Sequence, residues 1–291
     1  MNRIQMKALA KVNLGLDVIR RREDGYHEVK MIMQTVRLYD RIILEKTQKG
    51  ISMETNLSFL PVNEQNIAYR AAKMLMDEFH IQSGLHIKID KHIPVAAGMA
   101  GGSTDGAAVL YGVNKIFELG LTKRQLMERG VKLGADVPYC IMRGTVLSEG
   151  IGEILTPVSS LPDCHILIAK PPVSVSTKHV YENLKLDKIE KHPDIDGMVE
   201  ALRMEDLHGV TQRMENVLET VTIPEHPEIQ QIKELMIKEG ALNALMSGSG
   251  PTVFGIFDDR EKGMRARDLL RKSSLVRHTY LVRPFNIRSY R

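Results

Sequence analysis

From Ile4 to Val18 every second residue is apolar or small: Ile4, Met6, Ala8, Ala10, Val12, Leu14, Leu16, Val18. That is the side-chain period of a β-strand, so the chain opens in a sheet. The same register puts Lys7, Lys11, Asn13 and Asp17 together on the opposite face. The segment Asp24-Gly25-Tyr26-His27 reads as a turn. Further strands are predicted over Tyr39–Lys46 and Leu85–Asp90, with a helix over Asn66–Phe79 from the stripe Ile67, Ala71, Leu75, Phe79.

The rest of the chain keeps mixing the two periods. Helices are predicted over Asp105–Leu119, from Thr122 to a stop at Gly134, from Asp136-Val137-Pro138, and over Thr177–Asn183, Met198–Leu202, Pro227–Lys238 and Glu261–Arg271. Thr122 with Gln125 forms a capping box. Strands are predicted over Thr145–Ser148, His165–Ala169, Thr252–Phe257 and Thr279–Val282. No regular βαβ rhythm emerges, which points to an α+β fold. A length of 291 residues suits one large domain or two modest ones. Pro157, Ser159, Ser160 and Pro162 set the boundary near Leu155–Asp163, giving domains 1–158 and 159–291.

Composition bounds the partners. A net charge of +4, with no long Lys/Arg block, argues against nucleic acid and leaves room for a phosphorylated small molecule. Two cysteines, Cys140 and Cys164, do not make a disulfide framework. No leader and no membrane-length apolar run is present, so the expectation is a soluble cytoplasmic chain, monomeric or homodimeric, with no membrane partner.

Two glycine-rich segments stand out. Pro94-Val95-Ala96-Ala97-Gly98-Met99-Ala100-Gly101-Gly102-Ser103-Thr104-Asp105-Gly106 follows a strand and leads into a helix. Glycine lets backbone N–H groups approach an anion closely, and a helix N-terminus adds donors and partial positive charge. The segment is neither a Walker A loop nor a GxGxxG motif, and read alone it is either a phosphate cradle or a plain strand-to-helix turn. Ser247-Gly248-Ser249-Gly250-Pro251-Thr252 places small residues before another strand. It is a tight turn or a place where backbone passes close to a ligand.

Side chains with chemistry lie elsewhere. Asp136 is a carboxylate among small and apolar neighbours, a helix cap or a proton acceptor. Lys11 is a solvated strand lysine or a cation serving an acidic group, and Asn13 shares its face. Tyr26, His27 and Tyr181 either pack or hold a heterocycle by stacking and hydrogen bonding. No carboxylate is assigned to a metal.

Taken together, Lys11-Val12-Asn13-Leu14, the Pro94–Thr104 loop and Ser247–Thr252 resemble, in order and across nearly the whole chain, the GHMP kinase superfamily. Asp24-Gly25-Tyr26-His27 and Gly134-Ala135-Asp136-Val137-Pro138 resemble the branch that acts on a cytidyl diphosphate sugar alcohol. The resemblance implies an ATP-dependent kinase of a route to isoprenoid precursors, with Mg²⁺ accompanying ATP and the acceptor phosphorylated at its 2-hydroxyl. It implies ATP on Pro94, Val95, Ala96, Ala97, Gly98, Met99, Ala100, Gly101, Gly102, Ser103 and Thr104. It further implies Asp136 as base, Lys11 orienting it, Asn13 beside them, and Tyr26, His27 and Tyr181 on the cytosine. The fold it implies is an N-terminal domain like domain 2 of ribosomal protein S5, followed by a ferredoxin-like domain. Met99, Ala100, Thr104 and Gly106 depart from the commonest loop of the family without changing size or backbone freedom much. The alternatives are another kinase of the superfamily, of homoserine or mevalonate type, and a non-catalytic nucleotide- or RNA-binding module.

Overall fold

A computed structural model describes residues 1–287 of the chain, which fall into two compact units. The first comprises Met1–Ala10, Leu38–Val95 and Ala100–Met142; the second comprises Lys11–Arg37, Ala96–Met99 and the chain from Arg143 onward. Two long strands, β1 (Arg3–Arg21) and β2 (His27–Thr47), supply both units and pair with each other. The predicted strand Tyr39–Lys46 is thus only the end of a strand of 21 residues. Residues Ala8 to Val18 are buried on both faces of β1, so its polar face is not a solvated one.

In the first unit β3 (Ile51–Thr55), α1 (Ile67–Glu78) and β4 (Gly84–Asp90) form a parallel crossover. β4 pairs antiparallel with the end of β2, Arg41 facing Asp90 through Thr47 facing Gly84. Asn66 caps α1 by accepting from the Ala68 N–H. Helix α2 (Gly101–Ile116) begins four residues before the Asp105 start that the sequence suggests, because the glycines join its first turn. It packs on α1 so closely that a Cβ on Gly106 would sit 2.5 Å from Ile67 Cγ2, which explains a glycine inside a helix. α3 (Lys123–Gly130) carries the predicted Thr122/Gln125 capping box but ends at Gly130 rather than Gly134, and α4 (Val137–Met142) follows Asp136.

In the second unit β5 (Thr145–Glu149) pairs with Met31–Gln34 of β2 and with β6 (Ile154–Pro157). The remainder runs β7 (His165–Lys170), α5 (Thr177–Asn183), α6 (Ile195–Arg203), α7 (Leu207–Gln212), α8 (Glu219–Glu225), α9 (Glu228–Lys238), β8 (Asn243–Met246), β9 (Val253–Phe257), α10 (Arg260–Lys272) and β10 (His278–Val282). The four strands form an antiparallel sheet ordered β10-β7-β9-β8. Helices enter between β7 and β8 and between β9 and β10, giving the βαββαβ order of a ferredoxin-like layer. Its core is Ile166, Leu167, Ile168, Val253, Phe254, Ile256 and Phe257, all fully buried. Both cysteines, Cys140 and Cys164, are buried. The α+β class read from the sequence is therefore the one observed.

Candidate functional site

The first glycine segment is built by three consecutive excursions into the left-handed region: Ala96 at φ +49°, Gly98 at +68° and Ala100 at +56°. Side chains consequently alternate, with Pro94, Ala97 and Met99 buried and Val95 and Ala96 exposed. Ala100 is the N-cap of α2 and has no side-chain oxygen with which to engage the first-turn N–H groups, so this sixteen-residue helix presents donors suited to an anion. Gly102 is exposed and Ser103 half-buried. Thr104 is turned inward: its hydroxyl donates to the Leu9 carbonyl at 2.8 Å.

Below that turn, still in the first unit, lies a charge cluster that sequence reasoning missed. Lys91, Asp40 and Asp105 are all buried. Lys91 Nζ lies 2.7 Å from Asp105 Oδ2 and also bonds Asp40 and the Gly101 carbonyl. Asp40 Oδ1 accepts the His92 and Ile93 N–H groups at 2.6 and 2.8 Å. Asp105 Oδ1 has no hydrogen-bond partner among the described residues. Burial pulls the Lys91 ammonium down, but Asp105 and Asp40 outweigh it and hold it above its ordinary value. Burial, with Asp40 adding to it, pushes the Asp105 carboxyl well up, and Lys91 offsets only part of that. One cation cannot sustain two dry carboxylates. Asp40 is anchored by its two backbone donors, and Asp105 is the carboxyl that burial pushes up.

In the second unit Lys11 is 5% exposed and Asn13 fully buried. Lys11 Nζ donates to Asn13 Oδ1 at 2.7 Å, and Asn13 Nδ2 faces Met31 Sδ at 3.1 Å. Further along the same face Asp17 pairs with His192 at 2.8 Å. The His27 and Tyr181 rings lie 5.2 Å apart at 40°, so two of the three candidate base-holding side chains come together. Burial and the nearby Arg21 lower the His27 pKa, which favours the neutral, hydrogen-bonding ring. Tyr26 is 60% exposed, and its N–H is fixed by Asp24 at 3.1 Å.

The second glycine segment meets the first within this unit. Ser247 Oγ donates to the Gly98 carbonyl at 3.0 Å, and a Cβ on Gly98 would lie 2.1 Å from Ser247 O. Gly248 and Gly250 have φ of +58° and +90°, and the Gly250–Pro251 peptide is cis. Lys11 N–H donates to the Met99 carbonyl at 3.2 Å. Two loops 149 residues apart in the chain thus touch backbone to backbone, which glycine alone permits. Pro94, Val95, Ala100–Thr104 and Asp136 belong to the first unit, while Lys11, Asn13, Tyr26, His27, Ala96–Met99, Tyr181 and Ser247–Gly250 belong to the second. Asp136 is half-buried and its carbonyl receives the Cys140 N–H at 3.0 Å, beginning α4.

Residues 66–144 match the family model of the GHMP kinases N terminal domain, and residues 197–273 that of the GHMP kinases C terminal. The chain is 56% identical over 286 residues to 4-diphosphocytidyl-2-C-methyl-D-erythritol kinase of Lachnoclostridium phytofermentans, covering 98% of each chain. Its identity to the protein of that name from Alkaliphilus metalliredigens is 48%, covering 100% of this chain and 99% of the other. A crystal structure of 4-(cytidine 5'-diphospho)-2C-methyl-D-erythritol kinase superposes with a TM-score of 0.83 at 30% identity, over 97% of this chain and 99% of that one. Homoserine kinase from Cytophaga hutchinsonii shares the fold at a TM-score of 0.78 and 19% identity, over 97% and 95% of the two chains. The chain belongs to the GHMP kinases, within their 4-diphosphocytidyl-2-C-methyl-D-erythritol kinase family.

Proposed function

We propose that this chain, a kinase by family, transfers the terminal phosphoryl group of ATP to the 2-hydroxyl of 4-diphosphocytidyl-2-C-methyl-D-erythritol, on the non-mevalonate route to isopentenyl diphosphate. The observation that carries the reading is the identity of 56% to a kinase of that name across 98% of both chains. The meeting of His27 and Tyr181 supports the acceptor: two rings 5.2 Å apart suit a cytosine, which homoserine and mevalonate lack.

Each role follows from chemistry. The Pro94–Thr104 segment with the α2 N-terminus offers N–H groups to the phosphates. Asp136 accepts the proton that the 2-hydroxyl sheds, and Lys11 orients that carboxylate and offsets the charge growing on the attacking oxygen. Tyr26, His27 and Tyr181 hold the cytosine, and Asn13 lies beside the reacting end. Burial strengthens the Lys11–Asn13 pair by excluding water, and it fixes the ammonium's direction. ATP is the co-substrate of a GHMP kinase. Among the described residues no cluster of three or more His, Cys, Asp or Glu side chains could cage a metal. Mg²⁺ accompanying ATP would be held mainly by phosphate oxygens and water, where it would offset the phosphate charge. Among the described residues no helix is long and apolar enough to cross a membrane; a cytoplasmic enzyme, monomeric or homodimeric, is part of the same proposal. A division into 1–158 and 159–291 belongs to the same proposal, supported by one family segment falling on each side.

The test is ATP consumption with the cytidyl acceptor, homoserine and mevalonate in parallel. Turnover with the first alone is expected; turnover only with either of the others overturns the acceptor.

A further inference from the structure

Asn216 lies between α7 and α8, is 3% exposed, and no sequence motif marks it. Its Nδ2 donates to the carbonyls of Met246 and Gly248, both at 2.8 Å, while Oδ1 accepts the Leu218 N–H at 3.0 Å. Both amide N–H groups are spent, and the partners fix which way the amide points. The left-handed turn at Gly248 is what brings two carbonyls to one side chain. The backbone around Asn216 is tied to β1: Leu16 N–H donates to the Glu215 carbonyl at 2.9 Å and Val217 N–H to the Leu16 carbonyl at 3.1 Å. One residue therefore links the strand that carries Lys11 and Asn13 to the second glycine segment.

That segment in turn grips the first, through Ser247 Oγ on the Gly98 carbonyl. From the other side Lys11 N–H holds the Met99 carbonyl. The Gly98–Met99 turn is clamped between β1 and Ser247, and Asn216 sets the distance between the clamps. All of these residues lie in the second unit. Burying one amide with three satisfied hydrogen bonds is costly to imitate. An aspartate would aim a charged oxygen at two carbonyl oxygens, and an alanine would leave both without that donor.

We propose that Asn216 is a positioning residue for the nucleotide: it fixes the Ser247–Gly250 segment and, through Ser247, the Gly98–Met99 turn that receives the phosphates of ATP. The proposal rests on the ATP-loop reading above.

The test compares wild type with Asn216→Asp, Asn216→Ala, Ser247→Ala and the Asn216→Ala/Ser247→Ala double variant. Equilibrium binding of ATP, KM for each substrate and thermal midpoint are measured on the full chain. The Asn216 variants are expected to weaken ATP about 10- to 100-fold, the scale at which a displaced loop acts, with acceptor KM within about twofold. Ser247→Ala loses one hydrogen bond, about threefold to tenfold. The double variant is expected to bind ATP no more weakly than Asn216→Ala, because both changes act along one chain of contacts. ATP affinity within about twofold of wild type in a folded Asn216→Asp, an equal loss for both substrates, or additive losses in the double variant overturns the proposal. Should the Asn216 variants fail to fold, Ser247→Ala decides: weakened ATP supports the clamp and unchanged ATP overturns it. A wild type that binds ATP but ignores the cytidyl acceptor refutes the acceptor reading, while the binding measurements still judge Asn216.

Discussion

Lys91 Nζ stands 2.7 Å from Asp105 Oδ2, and its other carboxylate partner, Asp40, is fully buried. The ammonium sits where β4 has just ended and the first turn of α2 passes over it, close enough to reach the Gly101 carbonyl at 3.4 Å. The charge cluster is thus a floor under the helix start that carries Gly101, Gly102 and Ser103.

Removing the cation leaves that floor with uncompensated buried acid. Lys91→Met keeps the length of the side chain and abolishes its charge. Breaking a buried pair from one side costs about 3–5 kcal/mol, so urea unfolding should show a loss of that size. A loss under about 1 kcal/mol would mean that water or rearrangement already relieves Asp40.

Asp105→Asn should behave in the opposite way. The carboxyl is pushed well above its ordinary 3.8 by burial, then by Asp40. The folded state therefore keeps this proton to a higher pH than the unfolded chain does, and stability from this group falls as pH rises from about 4 toward the raised value. Carboxylates such as Asp194 and Glu200, held low by their partners, run the other way, so only the difference between wild type and variant isolates Asp105. Asparagine presents a neutral group without titrating. Its stability relative to wild type is expected to improve with rising pH through that window and then level off. A difference that stays flat from pH 4 to 8 would show Asp105 to be ionised throughout.

Much of this architecture was legible in the sequence, for a physical reason. The strand Ile4–Val18, the helix 67–78 and the Thr122/Gln125 box are set by local periodicity and capping, which neighbouring residues suffice to determine. What escaped depends on partners far along the chain. β3 and β8 are short edge strands defined by pairing, and α8 contains Pro224, which reads locally as a break. The first half of β2 mixes Gln34, Thr35 and Arg37 among its apolar residues because Gln34 and Thr35 bond Thr145 and Gly144 across the sheet. The same holds at the site. Gly98 and Ser247 were marked by composition, whereas Asn216 and Lys91 are ordinary letters until their partners, 30 and 51 positions away, fold against them.

Gly98 and Gly102 separate folding from binding. At Gly98 the backbone is left-handed at φ +68°, and a Cβ would meet Ser247 O at 2.1 Å. The conformation alone costs an L-residue about 1–2 kcal/mol, and the clash must push the two glycine segments apart. Gly98→Ala is therefore expected to lower the thermal midpoint and raise KM for ATP together. Gly102 is in the first turn of α2, and outside that helix a Cβ there would meet Ile67 Cδ1 at an ordinary 3.7 Å and nothing else within 4 Å among the described residues. Gly102→Ala should fold at least as stably as wild type, since alanine favours a helix by roughly 1 kcal/mol over glycine. On the proposed ATP-loop reading it should nevertheless weaken ATP, because the methyl would stand where phosphate is proposed to approach the N–H groups. Undiminished ATP affinity in Gly102→Ala would remove that turn from the phosphate path.

Asp136→Asn addresses the proton. The main chain of Asp136 begins α4 by accepting the Cys140 N–H at 3.0 Å, and asparagine keeps both that bond and a similar shape, so the thermal midpoint should hardly move. The amide cannot take up a proton at neutral pH. General bases contribute about 10²–10⁴-fold, and kcat is expected to fall by that much while ATP binds within about twofold of wild type. The mixed outcome matters: turnover lost with ATP affinity intact separates chemistry from nucleotide binding. A variant turning over within a factor of about two of wild type would assign the proton to water or to the phosphate itself, as a dissociative transfer permits.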